Sequence, residues 1–126
     1  MRPVVYDAGP LIAAERNDRR VWAEHRVRLE VGIVPLVPAP IVAQVSRSPR
    51  QAQLRRMLRG CEVVPLDESG SHRAGALMGS AGTSDLADAA LVSLAMTRGA
   101  DVVTSDRDDI ERLMAKSRRP LRIVDV

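Results

Sequence analysis

Val4-Val5-Tyr6-Asp7-Ala8-Gly9-Pro10-Leu11-Ile12-Ala13-Ala14 is the stretch that decides the fold of this chain. Val4, Val5 and Tyr6 form a short β-branched and aromatic run, the residue types that fit a pleated surface. Asp7-Ala8-Gly9-Pro10 stops that run and turns the chain, and Leu11 to Ala14 continue with helical character. The stretch reads as strand, aspartate, helix. A second copy of that order lies near the other end, where Asp101-Val102-Val103-Thr104-Ser105 reads as a strand running into Asp106. A helix over Asp109 to Lys116 and a terminal strand over Leu121 to Val124 follow it.

Between these two stretches the pattern keeps alternating. A polar break at Asn17-Asp18 precedes a helical stripe through Val21, Trp22, Val27, Leu29 and Val31. Val34-Pro35-Leu36-Val37 is strand-like, and Pro38-Ala39-Pro40 opens a helix carrying Ile41, Val42 and Val45. A further helix starts at Arg50 and is closed by Gly60, before a strand at Cys61 to Val64. Asp67 to Met78 reads as a helix, Gly79 to Ser84 as a loop of small residues, and Asp85 to Thr97 as an apolar helix. Strands alternating with helices predict an α/β fold with a mostly parallel central sheet covered on both faces, a three-layer α/β/α arrangement.

At 126 residues the chain fits one domain over 1–126. Its apolar fraction of 45% comes from Ala, Val, Leu and Ile, with no Phe, one Trp and one Tyr, so aromatic platforms for stacking bases are not expected. Nineteen Lys plus Arg against sixteen Asp plus Glu give a formal charge of +3. That excess, with an isoelectric point near 10.0, suits a polyanionic partner held through phosphate contacts. Cys61 has no second cysteine to pair with and no neighbour at metal-ligand spacing, which favours a cytoplasmic protein. Asp7 and Glu15 interrupt an N-terminal apolar stretch far shorter than a membrane span, so no signal peptide or membrane anchor is expected. His25 and His72 read as surface residues on helices.

In doubly wound sheets ligands collect beyond the carboxyl ends of the strands, where Asp7 and Asp106 fall. Asp85 and Asp88 stand three apart at the start of a helix and share one of its faces. One acid there is explained by capping or by the helix dipole. Two, followed by an apolar run, are explained less well. Carboxylates gathered in one place repel each other unless a cation neutralises them, and all-oxygen ligation suits Mg2+ or Mn2+.

These residues resemble the PIN-domain ribonucleases of the VapC toxin type. The resemblance spans the chain and rests on the Val4 to Leu11 opening, the Pro38-Ala39-Pro40-Ile41-Val42-Ala43 helix start, Asp85-Leu86-Ala87-Asp88-Ala89, and Val102-Val103-Thr104-Ser105-Asp106. It implies a PIN-like fold and hydrolysis of RNA phosphodiesters with Mg2+, or Mn2+, as cofactor. It places the catalytic and metal-ligating carboxylates on Asp7, Asp88 and Asp106, with Asp85 and Asp108 as auxiliary acids and Thr104 or Ser105 adding a hydroxyl. The family's second acid, normally a glutamate, falls on Gln44, a departure that weakens the metal site. Arg47 and Arg50, followed by Arg55, Arg56 and Arg59, would line a path for RNA phosphates. The implied partners are a small antitoxin protein covering the site and a second copy of the chain in a homodimer.

Two other readings compete. One is a catalytically weak PIN-like module that binds RNA or antitoxin but holds an incomplete metal site because of Gln44. The other is a receiver-like signalling domain, which also gathers aspartates at strand ends. The only lysine, Lys116, lies in a helix after the aspartates and speaks against it.

Overall fold

A computed structural model of the chain describes residues 2–115 and 121–126. Its elements run β1 (Val4–Tyr6), α1 (Ala8–Glu15), α2 (Arg19–Glu30), β2 (Leu36–Pro38), α3 (Ala39–Val45), α4 (Ala52–Arg59), β3 (Glu62–Val64), α5 (Glu68–Ala81), α6 (Leu86–Arg98), β4 (Asp101–Thr104), α7 (Arg107–Met114) and β5 (Ile123–Asp125). The strands form one five-stranded sheet in the order β3-β2-β1-β4-β5, with every neighbouring pair parallel. The chain builds outward from β1 through β2 to β3, then returns to place β4 and β5 on the other side of β1.

Alternation along the short strands divides the core between the two faces. Val4 and Tyr6 of β1 pack with Leu11 of α1, Ile41 of α3 and Met57 of α4, whereas Val5 packs with Leu91 and Val92 of α6 and Ile110 of α7. β4 repeats the division, Val103 joining the first cluster and Val102 the second. Both faces of the central strands are therefore apolar, which is why they read as unbroken valine runs rather than alternating ones. Helices α1 to α4 cover one face and α5 to α7 the other, giving three layers. α1 leaves the carboxyl end of β1 toward the first face and α7 leaves that of β4 toward the second, so a crevice opens between them.

Several boundaries differ from the sequence reading, each for a local reason. Residues 8–10 form the first turn of α1 rather than a turn ahead of it, because Pro10 falls where an N–H has no intrahelical partner anyway. β2 starts and ends later than Val34 to Val37; Pro38 is its last residue, and its φ of −63° suits the N-cap of α3. α5 runs on through Gly79 and Ser80 to Ala81, and Gly82, at φ 67°, supplies the left-handed residue that ends it. Residues 121 and 122 precede β5, which starts at Ile123, and α7 starts at Arg107. Lys116 lies outside the described residues.

The largest correction concerns α2. Val27, Leu29 and Val31, read as part of its apolar stripe, are exposed, and its buried positions are Val21 and His25. His25 is 3% exposed, not a surface residue. Its Nδ1 lies 2.8 Å from Tyr6 Oη, which also accepts a hydrogen bond of 3.2 Å from Arg28 Nη1. With that acceptance the hydroxyl proton is free to go to His25 Nδ1, the tautomer the network assigns. Burial and the nearby Arg28 charge hold His25 below its usual pKa, in its neutral form. The inward line of α2 is thus Val21, Trp22, His25 and Arg28, helical in spacing but half polar. Gly60 closes α4 without a left-handed φ; a Cβ there would stand 2.9 Å from His25 Nε2, so space rather than backbone conformation selects glycine.

His72, by contrast, is exposed, and no helix among the described residues is long and apolar enough to cross a membrane.

Candidate active site

Asp7 and Thr104 form the fixed floor of the crevice. Asp7 extends the β1–β4 ladder by one bond, its N–H donating to Val103 O at 2.9 Å. Its carboxylate is 5% exposed and spans two partners: Oδ1 accepts from Ala8 N at 2.8 Å, and Oδ2 accepts from Thr104 Oγ1 at 2.6 Å. The same hydroxyl accepts from Asp106 N at 2.9 Å. One buried threonine therefore ties the carboxyl end of β1 to that of β4 and sets where Asp106 begins α7. The two ends also press together sideways, since any Cβ at Gly9 would collide with the Ser105 side chain and lie 3.0 Å from its backbone nitrogen.

The second wall is the N-terminus of α6. Asp85 is its N-cap, Oδ1 accepting from Asp88 N at 3.0 Å, so the capping role expected of an isolated acid does belong to Asp85. Asp88 needs another explanation. Its half-buried carboxyl has its pKa pushed up to about 7, first by burial, then by the charges of Asp85, Asp7, Asp109 and Asp106. Carboxyls from β1, α6 and α7 thus act on one group, the situation in which proximity of like charges opposes ionisation.

The third wall is the first turn of α7. Asp106 precedes it without using its carboxylate as a cap, and that carboxyl is raised above the usual carboxylate range, chiefly by hydrogen bonding with the Asp109 carboxyl and also by Asp7. Asp85, Asp88 and Asp109 line a cavity of about 370 Å³, together with Arg112. Asp109 was not among the candidates read from sequence; Asp108 was. Asp108 is exposed and is absent from the groups acting on Asp88 or Asp106. The signal that finds Asp109 is the one that paired Asp85 with Asp88, a three-residue step from Asp106 on the same helical face.

A family model for the PIN domain matches residues 4–116. The chain belongs to the PIN domain family. No curated protein matches it in sequence. Among solved structures, this PIN domain is similar to a chain of VapBC2 from Rickettsia felis bound to a DNA fragment from their promoter, with a TM-score of 0.68, 14% identity and 98% of each chain covered. A toxin–antitoxin complex from Klebsiella pneumoniae matches with a TM-score of 0.68 and 18% identity, over 98% of this chain and 99% of that one. FitAB bound to an IR36 DNA fragment matches with a TM-score of 0.65 and 16% identity, over 97% and 94% of the two chains. At these identities the likeness is one of fold.

The remaining candidates of the PIN domain sit around the crevice less tightly. Gln44 is exposed on α3, a helix that packs against α6, and its side chain makes no hydrogen bond among the described residues. Arg47 is exposed and spends Nη1 on Ala43 O and Ser46 O, at 3.0 and 3.1 Å, at the carboxyl end of α3. The Arg50 guanidinium is exposed, with no side-chain partner among the described residues. The one described tryptophan is no open platform either, because Arg56 covers its ring at 4.6 Å.

Among the described residues no three His, Cys, Asp or Glu side chains stand as a ready-made metal cage. The donors nonetheless fit a hard divalent cation: they are carboxylate and hydroxyl oxygens, and they share a repulsion that a cation would remove. Mg2+ in particular is held by one or two carboxylates and keeps several waters, so it asks for no closed cage.

Proposed function

We propose that this chain, as a single PIN-like domain over 1–126, is a metal-dependent endoribonuclease and the toxin of a VapBC-type toxin–antitoxin pair. The observation that carries the reading is the convergence of Asp7, Asp85, Asp88, Asp106 and Asp109 on one crevice, tied together by Thr104, with the Asp88 carboxyl pushed up to about 7 by burial and by the other four. A structural cap needs no such crowding, and a perturbed carboxyl in a cleft is a candidate for a functional site. PIN domains are generally nucleases using divalent metals, and of the similar structures described above one is a toxin–antitoxin complex and the other two, VapBC2 and FitAB, are bound to DNA fragments.

In this reading Asp7, Asp88 and Asp106 hold Mg2+, or Mn2+, with Asp85 and Asp109 around them. Such a cation would supply an activated water and offset charge building on the phosphate. Thr104 fixes the rotamer of Asp7 and the start of α7, so the carboxylates need little reorganisation. Asp88 would serve as a ligand in its deprotonated form. Arg47 and Arg50 contact substrate phosphates, a small antitoxin covers the crevice, the toxin pairs with a second copy of itself, and the protein works in the cytoplasm. RNA is recognised by backbone and shape, since Tyr6 is buried and Trp22 covered.

A second reading keeps the fold and the antitoxin but not the chemistry. Gln44 carries no charge where the resemblance places an acid, and the described acids form no closed cage. Incubating purified protein with total RNA, with Mg2+ or Mn2+ against chelator, and mapping new ends separates the two. New ends that need the cation support the nuclease; bound RNA left intact at saturating cation supports the binding module.

A further inference from the structure

The crevice poses an electrostatic difficulty for its own substrate. A phosphodiester carries a negative charge, and it would approach Asp85, Asp88 and Asp109, which line the cavity beside α6 and α7. Among the described residues one cationic side chain lines that cavity, Arg112. Two arginines lie on α7 and they are not alike. Arg107 is heavily engaged: Nε and Nη2 grip the two Asp125 oxygens at 2.9 and 2.8 Å, Nη1 reaches Glu111 Oε1 at 3.1 Å, and Nη2 also reaches Ile123 O at 3.4 Å. That fork fastens α7 to β5 and leaves a single donor open. Arg112 makes a single ion pair, Nη1 to Asp109 Oδ1 at 3.3 Å, with its side chain 78% exposed.

A guanidinium offers five donors, and one long contact leaves most of them open. An exposed pair three residues apart on a helix is weak, so it is exchanged readily for a better acceptor. A phosphate is that acceptor, because it takes two parallel N–H bonds from the planar fork.

We propose that Arg112 is the phosphate-binding residue of the crevice, parked on Asp109 in the free protein and transferred to a non-bridging phosphate oxygen of RNA when substrate arrives. The proposal rests on the ribonuclease reading. Arg112 here is a substrate-positioning residue: it offsets the repulsion of the aspartates toward the phosphate and releases Asp109 at the moment the phosphate is seated.

The test compares the parent with Arg112→Ala, Arg112→Lys and Arg107→Ala. Binding of a short fluorescent RNA is read by anisotropy in chelator at several salt concentrations, and cleavage with Mg2+ is read as separate KM and kcat. Arg112→Ala is expected to weaken binding about tenfold, to flatten the salt dependence by about 0.7 in log–log slope, and to raise KM more than it lowers kcat. Arg112→Lys should restore the slope, since the charge returns, but only part of the affinity, since the fork does not. Arg107→Ala should lower thermal stability and leave the salt slope unchanged. Equal affinity, slope and KM for Arg112→Ala and the parent would overturn the proposal while leaving the nuclease reading intact. A parent that neither binds nor cleaves RNA removes both. Arg112 is exposed and outside the core, and Arg112→Lys carries the salt-slope comparison if Arg112→Ala is poorly folded.

Discussion

Tyr6 and Asp7 are neighbours in the chain, yet they feed two polar regions of opposite character. Tyr6 turns into the α2 face, where its hydroxyl, the His25 ring and the Arg28 guanidinium satisfy one another, and Arg28 also lies 5.5 Å from the Tyr6 ring centroid. Asp7 turns into the crevice, where it shares space with Asp85, Asp88, Asp106 and Asp109 and where Asp88 and Asp106 are both harder to ionise than usual. The first region joins a phenol, an imidazole and a cation through shared hydrogen bonds. The second gathers five carboxyls around a single weakly held arginine. Buried or half-buried polar groups in one small fold thus mean different things: a self-satisfied set is part of the structure, and an unsatisfied set of one sign is a place for a ligand.

The largest effect that could break this contrast is on activity. Asp88→Asn should lower cation-dependent RNA cleavage by about a hundredfold or more, since even residues one step removed from a metal cost 10–100-fold. It should also leave the metal-free protein as stable as the parent or more so, because a repelled carboxyl is gone. Cleavage assays and melting curves on the same preparation check both halves; a variant that cleaves at the parental rate removes Asp88 from the site.

Tyr6→Phe probes the other region. It leaves His25 Nδ1 and Arg28 without their shared partner inside the core, which should cost about 1–3 kcal/mol of stability. Cleavage measured well below the melting temperature should hardly change. A denaturant midpoint equal to that of the parent would mean the network is not structural.

The two regions should also respond to pH with opposite sign. The Asp88 pKa is raised to about 7 in the fold from an ordinary 3.8, so the folded state takes up a proton that the unfolded chain lacks between those values. Stability from this group therefore rises as pH falls from about 7 toward 4. For a half-exposed carboxyl, solvent screening reduces the effect to about 1–2 kcal/mol. His25 is lowered from 6.5, so below that pH the unfolded chain takes up a proton that the fold refuses, and stability falls on acidification. Melting temperatures from pH 8 to 4 should thus climb more steeply in a His25→Gln background, which keeps the response of the raised carboxyls Asp88 and Asp106, and should climb less in Asp88→Asn.

Gln44→Glu is the smallest expected change. Adding a charge near the crevice should lower the Mg2+ concentration for half-maximal cleavage by a few-fold, about 1 kcal/mol or less at an exposed position. Matching midpoints in metal titrations at one pH and ionic strength would place residue 44 outside the site.

What the sequence revealed follows the same division. Strand-aspartate-helix was legible at Asp7 and strand-aspartate at Asp106, because β-branched runs end sharply at an acid in both places. The parallel three-layer fold followed from alternation of elements. The Tyr6–His25–Arg28 network was not legible, since hydrophobic periodicity cannot see a buried face made of a histidine and an arginine. The pattern was drawn to Val27, Leu29 and Val31 instead, which are exposed. Thr104 was suggested for its hydroxyl alone. That it bridges Asp7 and the Asp106 amide depends on the β1–β4 register, a pairing across about a hundred residues that local patterns do not encode. Asp109 was legible in principle through its three-residue step from Asp106, and was passed over for Asp108.

The central claim is that the crevice binds a divalent cation. Thermal unfolding of the parent and Asp88→Asn, each titrated with Mg2+ and with Mn2+ at pH 8, tests it most directly, because a ligand that binds only the folded state raises the melting temperature in proportion to the logarithm of its concentration over Kd. The account predicts a saturable rise for the parent, larger at pH 8 than at pH 6 where Asp88 retains its proton, and a much smaller rise for the variant. Equal rises for the two proteins, or none for the parent at millimolar cation, would contradict it.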